Sequence, residues 1–139
     1  MKNVFSHLRV SSEYSITQGL LTINQIVESA VKHSIPSVAL TDRSNMFGLV
    51  KFFNKCEASG IKPISGSSIR VIFDDDEQSH ELLCLAKTNT GHKNLMRIIS
   101  SAHNNYSYQI PIINYLSYLL TKYSRYIPFP TIQVNEISS

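Results

Sequence analysis

The segment 37-SVALTDRSNMFGLVKFF-53 decides the fold class, because it joins a strand pattern to a helix pattern through a polar turn. Its first four residues predict a short buried strand, which stops at Thr41-Asp42. Asn45 is predicted to cap the helix that follows, since apolar side chains recur there at helical spacing: Leu49, Val50, Phe52 and Phe53. Ser59-Gly60 ends that helix, with glycine at the expected C-cap position.

The alternation of strands and helices extends to both sides of this segment. Upstream, we predict a strand over residues 4–10 and a helix that starts after Thr22 and ends near His33, with Gln25 completing a capping-box pattern. Downstream, we predict strands over residues 61–64, 69–73 and 81–86 and a third helix that begins near Gly91. This order of elements predicts βαβ units and an α/β fold, in which functional groups gather where the strands end.

Length and composition indicate a compact, cytoplasmic protein. The chain has 139 residues, of which 42% are hydrophobic, and no apolar run long enough to cross a membrane. Cys56 and Cys84 lie far apart without a CxxC spacing, so we expect both to be buried free thiols. The net charge of +3 is mild and its Lys and Arg residues are scattered, which does not favour DNA binding by this segment itself.

Two segments have an unusual composition. Residues 74–77 are four adjacent acids, which we interpret as the solvated tip of a hairpin; cation binding is the alternative. Residues 105–139 are rich in tyrosine and poor in acids. We interpret them as a divergent C-terminal tail, with base stacking by the tyrosines as the alternative. The predicted organisation is therefore a domain over residues 1–104 followed by this tail.

Four blocks of the sequence occur in the order of one known family. They are FSHLRVSSEYS at residues 5–15, ALTDRSNMFGLVKFF at 39–53, GIKPISG at 60–66, and LLCLAKTNTGHKNLMRIISSAH at 82–103. Over roughly residues 3–104 they resemble the N-terminal polymerase-and-histidinol-phosphatase (PHP) domain of the bacterial DNA polymerase III alpha subunit. The resemblance implies a distorted α/β barrel of which this chain would form the incomplete N-terminal half.

The resemblance also implies where metal ions would bind. Intact family members hold Zn or Mn at the C-terminal ends of the strands, where the ions activate water for phosphoester cleavage. The matching positions in this chain are Arg9, Ser11, Gln18, Arg43, Ser68 and His80, of which only the histidine is a typical ligand. A guanidinium stays protonated and offers no lone pair, and one histidine does not hold a catalytic metal pair. We therefore predict a degenerate site with no metal and no catalytic residue.

Four polar residues in or near this site have milder interpretations. His7 matches a family position that precedes the ligand pair and is usually not a ligand, and Glu13 is the nearest acid to it in the sequence. Asp42 is expected to accept hydrogen bonds from loop backbone amides rather than to act as a base. His80 is expected to be a hydrogen-bonded structural histidine.

The resemblance leads to competing functions. The first is a noncatalytic, structural PHP module of a DNA-directed DNA polymerase, a nucleotidyltransferase of DNA replication. Its partners would be a proofreading exonuclease and the remaining polymerase core, and it would meet DNA only through that parent enzyme, whose palm binds Mg. The alternative is a stand-alone, metal-dependent phosphoesterase. The tail also suggests a truncated or frame-disrupted gene product, for which we expect marginal stability; whether a full-length alpha subunit coexists stays open.

Overall fold

The computed structural model describes residues 5–16, 18–72, 79–104 and 135–136. Within these ranges, three helices and four strands follow one another: α1 (Ile23–Lys32), β1 (Ser37–Leu40), α2 (Leu49–Ala58), β2 (Lys62–Ile72), β3 (Ser79–Leu85), α3 (Asn89–Asn104) and β4 (Asn135–Glu136). The chain divides into two compact units, Met1–Ser67 and Ser68–Ser139, which are described separately below.

Helix α1 begins as the sequence predicts. The Thr22 side chain accepts a hydrogen bond from the Gln25 backbone amide at 3.3 Å, and the Gln25 side chain accepts one from the Thr22 amide at 2.9 Å. This reciprocal capping box satisfies two amides that have no partner inside the helix. One face of the helix is then buried by Ile23, Ile26, Val27 and Ala30, whose spacing follows the helical repeat.

Strand β1, helix α2 and strand β2 form one βαβ unit. β1 pairs in parallel with the start of β2, so that Ser37 lies opposite Lys62 and Leu40 opposite Ser65. α2 ends at Ala58, and Gly60 takes up a φ of +69°, which confirms the predicted glycine at the end of this helix. Both free cysteines are buried, as predicted, Cys56 in α2 and Cys84 in β3.

Three predicted elements need correction. Residues 5–10 are not a regular strand, although they run beside β1 through a single parallel bridge between His7 and Val38. The strands predicted at 61–64 and 69–73 are one continuous strand, β2, as far as Ile72. Asn45 is not the cap of α2: the N-cap is Gly48, which makes no side-chain hydrogen bond to the helix.

The hydrophobic core of the first unit lies between its two helices and β1. Its buried members are Ile23, Ile26, Val27, Ala30, Val38, Leu40, Leu49, Phe52, Cys56 and Ile61. Val10 and Tyr14, from the segment before α1, pack against this cluster and are half-buried. The core therefore holds the N-terminal segment against β1 even though that segment has little regular pairing.

In the second unit, β3 pairs antiparallel with β4, with Leu82 opposite Glu136. The sequence-predicted third helix is α3, which buries Leu95, Ile98 and Ile99. The acidic segment 74–77 and most of the predicted tail lie outside the described residues, so their predicted structures stay predictions. Among the described residues, no helix is both long and apolar enough to span a membrane.

Candidate functional site

In the first unit, three polar chain segments meet at one edge of the parallel strands. The Ala39 amide donates to the His7 carbonyl at 2.9 Å, and the Thr41 amide donates to the Val10 carbonyl at 2.8 Å. Residues 5–10 thus run parallel to β1 on one side, while β2 runs parallel to it on the other. Parallel segments end at the same edge of a sheet, so residues 10–12, 41–43 and 65–67 meet there.

Asp42 is the centre of this edge and is almost completely buried. Its Oδ1 accepts hydrogen bonds from the Ser12 amide and from the Ser15 hydroxyl, both at 2.7 Å. Its Oδ2 accepts the Ser12 hydroxyl, also at 2.7 Å. We call Asp42, Ser12 and Ser15 the Asp42 cluster. Its three hydrogen bonds to an acidic side chain satisfy a group whose burial would otherwise be costly.

Ser15 connects the Asp42 cluster to the rest of the loop. Besides donating to Asp42, its hydroxyl accepts the Arg43 amide at 3.0 Å. Its carbonyl accepts the amides of Gln18 and Gly19, both at 2.8 Å, and its own amide donates to the Ser12 carbonyl at 2.8 Å. The loop over residues 11–19 is therefore tied by side chains to Asp42 and Arg43, just after β1, and by backbone hydrogen bonds to itself.

Gly19 is required by the close approach of two backbone segments. A Cβ atom at this position would lie 1.7 Å from the Ser12 carbonyl oxygen, a distance that real side chains do not reach. Only glycine lets the returning chain pass so close to Ser12. The Glu13 amide then donates to the Leu21 carbonyl at 2.8 Å, directly before α1 begins.

Hydroxyl groups satisfy the neighbouring backbone of this edge. The Thr41 hydroxyl accepts the Val10 amide at 2.9 Å, and it also donates to the Val10 carbonyl at 3.1 Å. The Ser67 hydroxyl donates to the Asp42 carbonyl at 2.7 Å. All three parallel segments are therefore linked through the backbone or side chain of residues 41 and 42.

Asn45 fixes the turn between β1 and α2. Its amide group donates to the carbonyls of Tyr14 and Arg43, both at 3.0 Å, and its Oδ1 accepts the Phe47 amide at 3.2 Å. This is an Asx turn rather than a helix cap. A Cβ at Gly48 would lie 2.7 Å from the Tyr14 ring, so this glycine allows close packing at the start of α2.

The six predicted site positions are divided between the two units. Arg9 and Gln18 are exposed in the first unit, where Ser11 and Arg43 are half-buried. Ser68 is buried and His80 is exposed in the second unit, and both Arg9 and His80 have interaction partners. The first unit thus brings Ser11 and Arg43 to the edge of the Asp42 cluster, because each directly adjoins one of its members.

The residues of the first unit's edge do not suit a metal ion. Of the positions that the family resemblance points to, those in this unit offer two guanidiniums, one hydroxyl and one amide. The Asp42 carboxyl already accepts three hydrogen bonds. Within the described ranges, no group of three His, Cys, Asp or Glu side chains is placed to hold an ion. Hard cations prefer several free carboxylate or imidazole ligands, which this edge does not provide.

The cysteine thiols are also poorly suited to metal binding. Burial raises the pKa of Cys56 to about 11 and that of Cys84 to about 11, because the thiolate would lose its hydration. A metal ligand must be the thiolate, so both groups are protonated and unreactive at neutral pH. Their role is to pack in the protein interior, Cys56 from α2 and Cys84 from β3.

The prediction that Asp42 accepts hydrogen bonds from the loop is confirmed, but it did not include all of the partners of Asp42. Asp42 accepts a backbone amide, as predicted, but two of its three partners are the hydroxyls of Ser12 and Ser15. Neither serine was singled out as a functional position. The sequence signal that could have pointed to them is the high serine content of residues 11–15. Two of these serines supply the hydroxyl groups that bind the buried Asp42 carboxyl group.

Comparison with known proteins places the chain in a family. The PHP-domain family model matches residues 7–128, a range that extends past residue 104; the domain boundary predicted there stays a prediction. The chain is 42% identical over 113 residues to the DNA polymerase III subunit alpha of Escherichia coli K12, covering 79% of this chain and 10% of that protein. It is 40% identical over 97 residues to the Bacillus subtilis subunit, covering 69% of this chain and 9% of that protein.

A solved structure supports the fold. The structure of a protein assigned as a metal-dependent phosphoesterase from Bifidobacterium adolescentis superposes with a TM-score of 0.54 at 17% identity. The match covers 89% of this chain and 39% of the other, so the predicted α/β class is confirmed and only part of the fold is present. The chain spans about a tenth of the length of the curated relatives it matches. By its match over most of its length, the chain belongs to the PHP-domain family.

Proposed function

We propose that this chain acts as a noncatalytic, structural PHP module of the DNA polymerase III alpha type, with a degenerate metal site. The observation that carries this proposal is the Asp42 cluster. Its carboxyl group, at the edge where the family places metal ions, is occupied by one amide and two hydroxyl donors. Three of the roughly four acceptor sites of this carboxyl group are thus used to hold a loop in place.

The charge of the neighbouring residues supports the same proposal. Arg43 directly follows Asp42, and Arg9 lies one residue before Val10, whose amide and carbonyl bind Thr41. Two permanent positive charges near the edge disfavour the binding of a divalent cation there. Catalysis through a metal-bound water would need the opposite charge balance.

The cellular role is proposed from the relatives. Their name assigns them to DNA polymerase III, so we infer that the module belongs to DNA replication in the cytoplasm. Its partners would be the remaining polymerase core and a proofreading exonuclease, and DNA would be reached only through the parent polymerase. That parent would be the DNA-directed DNA polymerase, with Mg in its palm. None of the resembling blocks of this chain corresponds to that palm, so we expect no polymerisation by these 139 residues alone.

Metal affinity is the direct test. The purified chain would be titrated with Mn²⁺ and Zn²⁺ by calorimetry, beside the variants His80→Ala and His33→Ala. His80 is the retained ligand position, whereas His33 is an exposed histidine at the end of α1. We expect no binding tighter than about millimolar, a free energy of only ~4 kcal/mol. Stoichiometric micromolar binding that His80→Ala removes and His33→Ala keeps would overturn the proposal.

Activity measurement separates the alternative function. Fold similarity to the phosphoesterase from Bifidobacterium adolescentis keeps a stand-alone, metal-dependent phosphoesterase as the second candidate. A generic phosphodiester would be incubated with the chain and Mn²⁺, with Ser11→Ala and His80→Ala prepared in the same way. We expect turnover no faster than the metal alone. Metal-dependent turnover that His80→Ala abolishes would move the phosphoesterase to first place.

A further inference from the structure

One face of α2 forms an open groove in the first unit. The groove has a volume of about 670 Å³ and is lined by Phe47, Val50, Lys51, Asn54, Lys55 and Ala58, together with Asn24 of α1. Val50, Lys51, Asn54, Lys55 and Ala58 recur at intervals of three and four residues and form one stripe along α2, and Phe47 lies just before the helix begins. We call this surface the α2 groove.

The α2 groove combines apolar surface with positive charge. Phe47 and Val50 are each 74% exposed, and both contribute to the same depression. Single exposed apolar residues are ordinary, whereas here an aromatic and an aliphatic side chain share one depression. Among the described residues, Lys51 and Lys55 are the charged side chains that line the groove, and no described acid lines it.

The two lysines have partners that lie outside the lining of the groove. Lys51 Nζ is 3.5 Å from Glu13 Oε1, and Lys55 Nζ is 3.8 Å from Glu28 Oε1. Both pairs are long and solvent-exposed, so each contributes little to stability and restrains the ammonium group weakly. An additional carboxylate can therefore approach either lysine from the groove side without displacing a strong ion pair.

The helix that carries the groove is held rigidly from its other face. Leu49, Phe52 and Cys56 are buried in the core of the first unit, and the turn before the helix is fixed by Asn45. A surface that is already ordered loses little conformational entropy when a partner binds. The stripe is therefore suited to a partner whose own side chains follow a helical repeat.

We propose that the α2 groove binds an amphipathic helix of a protein partner, with that helix placing its apolar stripe on Phe47 and Val50 and its carboxylates beside Lys51 and Lys55. The chemistry of the lining selects this occupant, because it offers apolar surface and positive charge together. None of the groove residues is one of the predicted metal-site positions. This inference is therefore independent of the structural role proposed for the Asp42 cluster.

The test uses the full chain and a synthetic peptide. The probe is an amphipathic peptide of about 18 residues, five helical turns, with leucines on one stripe and glutamates beside it. A matched peptide carries glutamine in place of each glutamate. Binding is followed by fluorescence anisotropy of the labelled peptide at low salt and again at about 0.5 M salt, where charge attraction is screened.

Variants locate the binding to the groove. Val50→Asp should weaken binding of the glutamate peptide at least tenfold, equivalent to ~1.4 kcal/mol. Lys51→Glu should weaken it several-fold at low salt only. Leu20→Asp is the matched control, because Leu20 is 96% exposed and does not line the groove, and it should change the affinity less than twofold. Circular dichroism of each variant confirms that the fold is kept.

Results of three kinds would overturn the proposal. The first is equal affinity for the glutamate and glutamine peptides, which would show that the lysines do not select carboxylates. The second is an absence of saturable binding, or binding that Val50→Asp leaves unchanged. The third is a concentration-dependent dimer in sedimentation that Val50→Asp abolishes, because the occupant of the groove would then be a second copy of this chain.

Discussion

The loop Ser11–Gly19 and the start of helix α1 are neighbours in the sequence, but they are held in opposite ways. The loop depends on Asp42, which lies 27 to 30 residues away from the serines that it binds. The start of α1 depends on Thr22 and Gln25, which are three residues apart. The difference shows that two neighbouring segments can both be well ordered, one through contacts with distant residues and the other through contacts with residues nearby in the sequence.

The comparison also shows how hydrogen bonds between distant residues keep this edge in shape. In the Asp42 cluster, two hydroxyls and an amide supply the positive ends of hydrogen bonds to one carboxyl group. Such donors satisfy a buried acid locally, a task that cations perform in metal sites. Four predictions test how strongly the distant and local contacts differ, from the largest expected effect to the smallest.

Substituting Gly19 should have the largest effect. Gly19→Ala would place a Cβ 1.7 Å from the Ser12 carbonyl oxygen, so the loop must open and give up its contacts to Asp42. We expect a loss of more than ~3 kcal/mol in the free energy of unfolding, measured by urea denaturation. Gly91→Ala is the matched control, because its Cβ would meet nothing closer than 3.5 Å and should be tolerated. Equal stability of the two variants would show that the loop is not held as described.

Removing the charge of Asp42 should have the next largest effect. Asp42→Asn replaces one acceptor oxygen by an NH2 group, which would face the donors of Ser12 and Ser15. We expect a loss of about 2–3 kcal/mol in the free energy of unfolding. Glu28→Gln provides the comparison, since Glu28 is exposed and its ion pair is long, and its cost should stay below ~0.5 kcal/mol. A stability of Asp42→Asn within ~0.5 kcal/mol of the unmodified chain would contradict the assigned role.

Crowding the start of α2 should cost less. Gly48→Ala brings a Cβ to 2.7 Å from the Tyr14 ring, which is a side chain and can partly move, so we expect a loss of about 1–2 kcal/mol. A double-mutant cycle with Tyr14→Ala checks the cause. The cost of Gly48→Ala should fall clearly in the Tyr14→Ala background, whereas an unchanged cost would assign the effect to the backbone of Gly48 itself.

Disrupting the local cap of α1 should have the smallest effect. Thr22→Ala removes the acceptor of the Gln25 amide at an exposed helix end, and we expect a loss of about 1 kcal/mol. Thr22→Ser keeps the hydroxyl and should recover most of that loss in the same denaturation experiment. A cost for Thr22→Ala that exceeds that of Asp42→Asn would reverse the ranking of local and distant contacts drawn here.

The elements that were predicted well are those whose signals lie close together in the sequence. Residue types within one helical turn or one strand were enough to predict the capping box of α1, the glycine after α2 and the burial of both cysteines. The predicted strand at residues 4–10 failed, because regular pairing depends on neighbouring strands as well as on apolar composition. Asn45 was misassigned as a cap, since its partners Tyr14 and Arg43 are known only once the chain is folded.

By itself, the sequence determined the α/β class, the helical repeat of α1 and α2, and the side-chain types at the predicted metal-site positions, because spacing and side-chain chemistry are local properties. Only the tertiary structure decided that Ser12 and Ser15 satisfy Asp42, and that Gly19 must lie against Ser12. It also decided that Phe47 and Val50 share one exposed groove with two lysines. Hydrogen bonding and packing between distant residues depend on how the chain closes on itself, and sequence spacing does not encode that closure.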